Sequence, residues 1–152
     1  MVILYPSVPL LEIHFKSDVR KGCFAVSIYR CHFSMSEILV VGAGGIGTEV
    51  VKYLALAGGY SVTVIDFDTV SVSNLSRQFF FRDSDVGRPK AEVLADTAGQ
   101  IYKDLRIKGM PLNILSDEFN AAFVKPFDAV ICGVDNLSAR TRVNEVCVAA
   151  EK

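Results

Sequence analysis

Hydrophobic positions in this chain follow two different spacings from residue 38 onward. Short continuous apolar runs, such as Ile38-Leu-Val-Val41, are typical of parallel strands that are buried on both faces. Between these runs, apolar residues recur at helical spacing, as do Ile46, Val50, Val51 and Leu54. The pattern predicts strands over 38–41, 62–65, 105–112 and 129–132, and helices over 45–57, 89–102, 116–124 and 138–150.

The alternation of strand and helix with short connections predicts an α/β fold, a Rossmann-like doubly wound parallel sheet. Right-handed crossovers then give the strand order 3-2-1-4. Turn residues support the boundaries: Gly58-Gly59 ends the first helix, Pro89 suits the first turn of the second, and Ser116 is the expected cap of the third. Because the chain stops after the fourth strand's helix, we expect the sheet to be incomplete at the C-terminus.

Composition limits the classes of function. The 152 residues are 51% hydrophobic and 22% charged, with a formal net charge of -1, which predicts neither a nucleic-acid nor a membrane partner. Four cysteines without a CxxC pair indicate no zinc site or disulfide framework, and favour a reducing setting in the cytoplasm or nucleus. We interpret residues 1–36, with His14 and Cys31-His32, as an extension without a site, and residues 37–152 as one partial ATP-binding domain.

A glycine turn follows the first predicted strand. Gly42, Gly44 and Gly47 match the pattern G-x-G-x-x-G between a strand and a helix. Backbone without side chains can approach a phosphate closely, and a helix N-terminus presents free N–H groups. The turn therefore predicts nucleotide binding, while a glycine-rich turn without a ligand stays the alternative.

Two acids follow the second predicted strand. Asp66, 19 residues beyond Gly47, is placed to accept hydrogen bonds from ribose hydroxyls. NAD and ATP are equally compatible with this position. Asp68 is compatible with a solvated turn residue.

Cations in the next stretch favour ATP. Asn74 and Arg77 lie in one loop and Lys90 opens the second helix, so all three could reach the same space. A triphosphate needs guanidinium, ammonium and metal groups more than a dinucleotide's pyrophosphate does. We interpret Arg82 and Arg88 as solvated surface charges.

Asp135 follows the fourth predicted strand and should face the glycine turn across the crevice between the first and fourth strands. A carboxylate there would repel phosphate unless it binds a cation, and Mg²⁺ is commonly held by carboxylates together with phosphates. The alternative is a helix N-cap, a role that Asn136 or Ser138 could fill equally well.

Residues 38–150 resemble the adenylation domain of the ubiquitin-like modifier-activating enzymes and their bacterial relatives MoeB and ThiF. The matching segments are Gly42–Gly47, Asp66-Phe-Asp68, Ser73-Asn-Leu-Ser-Arg-Gln-Phe79, Val86-Gly-Arg-Pro-Lys90, and Asp135-Asn136 with Arg140. The resemblance implies ATP and Mg²⁺ as cofactors, with Arg77, Lys90 and Asp135 catalytic and Asp135 the magnesium ligand. It implies a nucleotide site formed by Gly42, Ala43, Gly44, Gly45, Ile46, Gly47, Asp66, Asn74, Leu75, Arg77, Lys90, Asp135 and Asn136.

The implied activity is ATP-dependent adenylation of the C-terminal carboxylate of a ubiquitin-like modifier, by the catalytic subunit of a heterodimer. Gln78-Phe-Phe-Phe81 and the run from Ala139-Arg140 to Val143-Asn144 look closer to the eukaryotic catalytic subunits, especially the SUMO-type one, than to MoeB. Ile131-Cys-Gly-Val-Asp135 has some similarity to the subunit that activates the modifier related to cullin regulation. The carboxylate is already ionised at neutral pH, so no general base is required. The alternatives are a MoeB/ThiF-like sulfur-carrier adenylyltransferase and a degenerate nucleotide-binding interaction module.

The resemblance also implies features that these 152 residues do not contain, including a longer sheet and a thioester-forming cysteine. Cys132 and Cys147 read as small core residues because of their positions in a strand and on an apolar helix face. We therefore expect the chain to be a fragment that is inactive or poorly stable alone.

Overall fold

The computed structural model describes residues 35–152 and two short strands, β1 (Lys16–Asp18) and β2 (Cys23–Ala25), which pair in an antiparallel manner. His14, Cys31 and His32, and with them most of the expected N-terminal extension, lie outside the described residues. Within the described part, no helix combines the length and the apolar character that crossing a membrane requires.

The main body alternates strand and helix as the hydrophobic pattern predicts. Its strands are β3 (Ser36–Val41), β4 (Tyr60–Ile65), β5 (Arg106–Met110) and β6 (Ala129–Cys132), and its helices are α1 (Gly45–Ala57), α2 (Lys90–Ile101), α3 (Ala121–Val124) and α4 (Leu137–Ala149). The four strands form one parallel sheet in the order β5-β4-β3-β6. This is the predicted order 3-2-1-4, so the α/β prediction is confirmed.

Helices cover both faces of the sheet, which is why its central strand is continuously apolar. Successive side chains of a strand point to opposite faces, and in β3 Ile38 and Val40 pack with α1 and α2 while Leu39 and Val41 pack with α4. All four side chains are buried. The predicted apolar face of α4 is confirmed, since Ala139, Val143, Val146 and Ala150 are buried in the second cluster.

Strand register brings the carboxyl ends of the strands to one edge. Val41 lies beside Ile65 in β4 and beside Cys132 in β6. The residues that follow these three, Gly42, Asp66 and Gly133, therefore emerge side by side.

The third helix differs from the prediction over 116–124. It is a single turn, Ala121–Val124, and its cap is Asn120, whose Oδ1 accepts a 3.1 Å hydrogen bond from the Phe123 N–H. The predicted cap, Ser116, instead donates its hydroxyl to the Asn113 carbonyl at 2.7 Å. The prediction was wrong because several residues in this segment can form turns, and the local sequence does not rank them.

Candidate functional site

The glycine loop between β3 and α1 is shaped by two close backbone approaches. Gly42 has φ +100°, a backbone conformation that residues other than glycine rarely adopt. Its N–H donates to the Ile65 carbonyl at 2.8 Å. At Gly47, a Cβ would lie 1.8 Å from the Gly42 carbonyl oxygen. These two glycines are therefore needed to pack the start of α1 against the end of β3.

Gly44 and Gly45 differ from those two because a Cβ at either position would meet no atom within 4 Å. Gly44 is the N-cap of α1, and neither a side-chain cap nor an acidic residue occupies the first turn. The loop thus leaves open space beside an uncapped helix N-terminus, where backbone N–H groups and the helix dipole favour an anion. A phosphate group fits this cradle.

Asp66, at the end of β4, is joined directly to the glycine loop. Its Oδ2 accepts a 2.7 Å hydrogen bond from the Ala43 N–H, and its Oδ1 accepts a 2.8 Å bond from the Asp68 N–H. Burial raises the pKa of this carboxyl from its ordinary value of 3.8, against the opposing effect of the two N–H donors and the charge of Lys90. Each oxygen keeps acceptor capacity that ribose hydroxyls can use.

The segment between β4 and α2 is folded tightly around Asn74. This residue is buried at 6% exposure, and its Oδ1 accepts a 2.9 Å hydrogen bond from the Ser71 N–H across a one-turn 3₁₀ helix (Val72–Asn74). The Asn74 carbonyl accepts the N–H groups of Arg77 and Gln78 at 3.2 and 3.0 Å. The Asn74 backbone thus positions Arg77, and Asn74 itself stays a predicted ligand.

Arg77 and Leu75 lie differently in this segment. The Arg77 side chain is exposed, and no described residue forms a hydrogen bond or ion pair with it. Leu75 is half-buried and packs against the core cluster under α1 and α2. The Leu75 side chain therefore anchors the segment between β4 and α2 to the hydrophobic core.

Lys90 begins α2 and is largely buried. Its Nζ lies 2.9 Å from Oδ2 of Asp68, and the two side chains are 11% and 51% exposed. Asp68 is therefore exposed to solvent, as its interpretation as a turn residue requires, and is also an ion-pair partner, a role that was not predicted. The sequence offered only one signal for this role, its position two residues after Asp66.

Arg88 and Arg82 make contacts within the segment between β4 and α2, and Arg88 also contacts α2. Arg88 bridges Asp85 and Asp96 at 3.0 and 2.9 Å, and Arg82 donates to the carbonyl oxygens of Phe79 and Phe81. Both side chains are exposed, as expected of surface charges.

Asp135 and Asn136 follow β6 and have separate roles. The N-cap of α4 is Asn136, whose Oδ1 accepts a 2.8 Å hydrogen bond from the Ala139 N–H. Asp135 is exposed, and within the described part of the chain it has no hydrogen-bond partner. The capping alternative for Asp135 was therefore wrong, and its carboxylate is available to a ligand.

Gly133 is a residue of this site that the sequence reasoning missed. Its N–H donates to the Val41 carbonyl at 2.8 Å, and a Cβ there would lie 3.2 Å from the Gly47 nitrogen. The end of β6 thus packs directly on the glycine loop, two residues before Asp135. A glycine immediately after a predicted strand was the available signal.

The oxygen donors of the site suit the magnesium ion that the resemblance implies. No group of three or more His, Cys, Asp and Glu side chains in the described residues could hold a metal ion by itself. Mg²⁺ commonly needs only one or two carboxylates when a nucleotide supplies phosphate oxygens. Asp135 is exposed and lies two residues after Gly133, which packs on the glycine loop, so its carboxylate is of the kind that this requirement calls for.

The two cysteines of the main body are half-buried. Cys132 and Cys147 pack against the second core cluster, and burial raises the pKa of the Cys147 thiol. A thiol in this environment is a poor nucleophile, in agreement with their interpretation as small core residues.

Comparison with known proteins gives one family and several close relatives. The ThiF family model matches residues 30–152. The chain is 41% identical over 115 residues to SUMO-activating enzyme subunit 2 of Dictyostelium discoideum, covering 76% of this chain and 17% of that protein. It is 45% identical over 109 residues to the NEDD8-activating enzyme E1 catalytic subunit of Caenorhabditis elegans, covering 72% of this chain and 25% of that protein. The chain thus spans a quarter or less of the length of these relatives.

Proposed function

Because this chain belongs to the ThiF family, we propose that it forms the ATP-binding part of an enzyme that adenylates the C-terminal carboxylate of a ubiquitin-like modifier. The names of the two relatives support a modifier-activating role. The observation that carries the proposal is the direct hydrogen bond between the glycine loop and Asp66, 2.7 Å from the Ala43 N–H to Oδ2. Asp66 is in turn joined through Asp68 to the ammonium group of Lys90.

Each group of the site has a separate role in this proposal. The cradle at Gly44 and Gly45 receives phosphate, and Asp66 accepts the ribose hydroxyls. Arg77 and Lys90 neutralise the triphosphate. Asp135 would hold Mg²⁺, which when bound offsets phosphate charge and helps pyrophosphate to leave.

The proposed reaction needs positioning and charge neutralisation more than proton transfer. An ionised carboxylate oxygen of the modifier bonds to the α-phosphorus of ATP, and the bond from that phosphorus to the bridging oxygen of the β-phosphate breaks. The products are an acyl-adenylate and pyrophosphate. Cations placed around the phosphates stabilise the charge that develops on the leaving group.

Isothermal titration of the full chain with Mg-ATP and with NAD tests the proposal. We expect saturable binding of Mg-ATP, and we expect Arg77→Ala to weaken it by about tenfold or more, as for other charge-assisted phosphate contacts. Lys103→Ala is the matched control, because this exposed cation lies between α2 and β5 at the opposite edge of the sheet. Preferential NAD binding, or equal effects of the two substitutions, would contradict the proposal.

The narrower proposal concerns the modifier. The SUMO-type and NEDD8-type relatives are similarly close, at 41% and 45% identity, and Gln78-Phe-Phe-Phe81 favours the SUMO type. Modifier-dependent ATP–pyrophosphate exchange, measured with the partner subunit supplied, should be stimulated by a SUMO-type modifier. Stimulation by a NEDD8-type modifier alone would reassign the substrate and leave the ATP site intact. Stimulation by a sulfur-carrier protein alone would favour the MoeB/ThiF-like alternative.

A further inference from the structure

The Asp68–Lys90 ion pair joins two segments that are 22 residues apart in the chain, with Nζ 2.9 Å from Oδ2. Asp68 also donates its N–H to Oδ1 of Asp66 at 2.8 Å. A continuous set of contacts therefore runs from the glycine loop through Asp66 and Asp68 to the ammonium group of Lys90.

We propose that Asp68 is a positioning residue that acts through Lys90, holding its ammonium group at the place where the triphosphate of ATP binds. This inference rests on the proposed function. Asp68 fixes the position of the Lys90 ammonium group, and Lys90 itself contacts the phosphates.

Donor capacity makes this arrangement possible. A lysine ammonium has three N–H donors, and within the described residues only one hydrogen bond involves this group, the one to Asp68. Donors thus remain for phosphate oxygens while the ion pair persists. Lysine has a flexible four-carbon stem, so without a fixed partner the ammonium group would move toward water.

Burial decides whether Asp68 helps or hinders phosphate binding. Its side chain is 51% exposed and that of Lys90 is 11% exposed, so solvent screens the carboxylate more than the ammonium group. A buried charge needs a partner. We conclude that anchoring Lys90 outweighs the repulsion between Asp68 and the phosphates.

The backbone around Asp68 is held independently of its carboxylate. The Lys90 N–H donates to the Asp68 carbonyl, the Val70 N–H to the Arg88 carbonyl and the Gly87 N–H to the Val70 carbonyl, each at 2.9 Å. An Asp68→Asn chain is therefore expected to fold, and thermal melting checks this.

The test is a double-mutant cycle in the full chain with Asp68→Asn, Lys90→Met and both substitutions together. Isothermal titration measures the Kd of Mg-ATP and of adenosine, which has no phosphate. We expect Asp68→Asn alone to raise the Kd of Mg-ATP by about fivefold or more, the scale of a partly exposed charge pair. In the Lys90→Met background, Asp68→Asn should change the Kd of Mg-ATP by less than about twofold.

Two further measurements separate positioning from a general structural role. The Kd of adenosine should be unchanged by Asp68→Asn, and Asp68→Glu should retain most of the Mg-ATP affinity. Equal weakening with and without Lys90, weaker adenosine binding, or tighter Mg-ATP binding would each overturn the inference. If the unsubstituted chain does not bind Mg-ATP, the proposed function itself fails, which is a separate result.

Discussion

The Ala43 N–H donates a 2.7 Å hydrogen bond to Oδ2 of Asp66, a residue 23 positions further along the chain. This contact fixes the position of the turn after β3 relative to the acidic residue after β4. A phosphate cradle and a ribose acceptor are thereby placed in fixed relation before any ligand arrives, which reduces the ordering that binding would otherwise require.

The raised pKa of Asp66 predicts how stability depends on pH. Because burial disfavours the carboxylate, the native chain holds this proton more tightly than the unfolded chain, whose carboxyl has a pKa near the ordinary value of 3.8. Stability therefore falls as pH rises from that value through the raised native pKa. Asparagine cannot ionise, so we expect the free energy of unfolding of Asp66→Asn, relative to the unsubstituted chain, to increase as the pH rises from 3.8 through the raised native pKa of Asp66. Urea denaturation at a series of pH values measures this, and a constant difference would contradict it.

Gly47→Ala should prevent stable folding. The new Cβ would lie 1.8 Å from the Gly42 carbonyl oxygen and 2.9 Å from its carbon, and neither backbone atom can move without breaking the loop. We expect a loss of more than about 3 kcal/mol in the free energy of unfolding, at the upper end of overpacking effects. Chemical denaturation measures it.

Gly44→Ala is the matched control for that substitution. Its φ of -79° suits alanine, and a Cβ would meet no atom within 4 Å. Stability should change by less than about 1 kcal/mol, whereas Mg-ATP binding should weaken because the methyl group enters the cradle. Unchanged binding would show that phosphate does not use this space.

Asp135→Ala and Asn136→Ala should differ in their effects, the first on nucleotide binding and the second on stability. Asn136 caps α4 through its 2.8 Å bond from the Ala139 N–H, so its loss should cost about 1 kcal/mol of stability. Asp135 has no such bond, and its loss should cost less than about 0.5 kcal/mol but abolish magnesium-dependent nucleotide binding. Melting curves and titrations with Mg-ATP, run on both variants, distinguish the two roles. A large destabilisation by Asp135→Ala would contradict the assignment.

Alanine substitutions at Gly99 in α2 and at Gly109 in β5 should change the stability of the chain in opposite directions. At Gly99, within α2, a Cβ would be 3.6 Å from the Ile107 side chain, an ordinary contact, so Gly99→Ala should stabilise the chain by up to about 1 kcal/mol through helix propensity. At Gly109 a Cβ would lie 2.0 Å from the Ala91 carbonyl oxygen, and alanine should displace the start of α2 beside Lys90. Thermal melting should therefore rise for one variant and fall for the other.

Elements with strong local signals were predictable in this chain. The bounds of α1 and β6 agree with the prediction, because helical spacing ends at Gly58-Gly59 and a run of four apolar residues has room for only one strand. Where several turn-forming residues compete, as between Asn113 and Asn120, local sequence was insufficient. The packing of Phe119 in the second core cluster is a tertiary constraint on that segment.

The candidate site, too, could be predicted only in part. The strand order alone predicted that Gly42, Asp66 and Asp135 would follow the carboxyl ends of neighbouring strands, since parallel strands end together. Arg77 and Lys90 were predicted from their charge and from the family resemblance. How those residues use their hydrogen bonds did not follow. The sequence left Asp135, Asn136 and Ser138 as candidates to cap α4, and the structure places Asn136 there.

The sequence by itself determined the α/β fold and the strand order, because the fold follows from short-range periodicity and the order from right-handed crossovers between parallel strands. It also placed Gly42 and Asp66 directly after neighbouring strands. Only the tertiary structure decided the partners of the charged groups, including Asp68 with Lys90 and Asp66 with Ala43. Such pairings depend on the path of a loop across more than 20 residues, and the local spacing of residues does not encode that path.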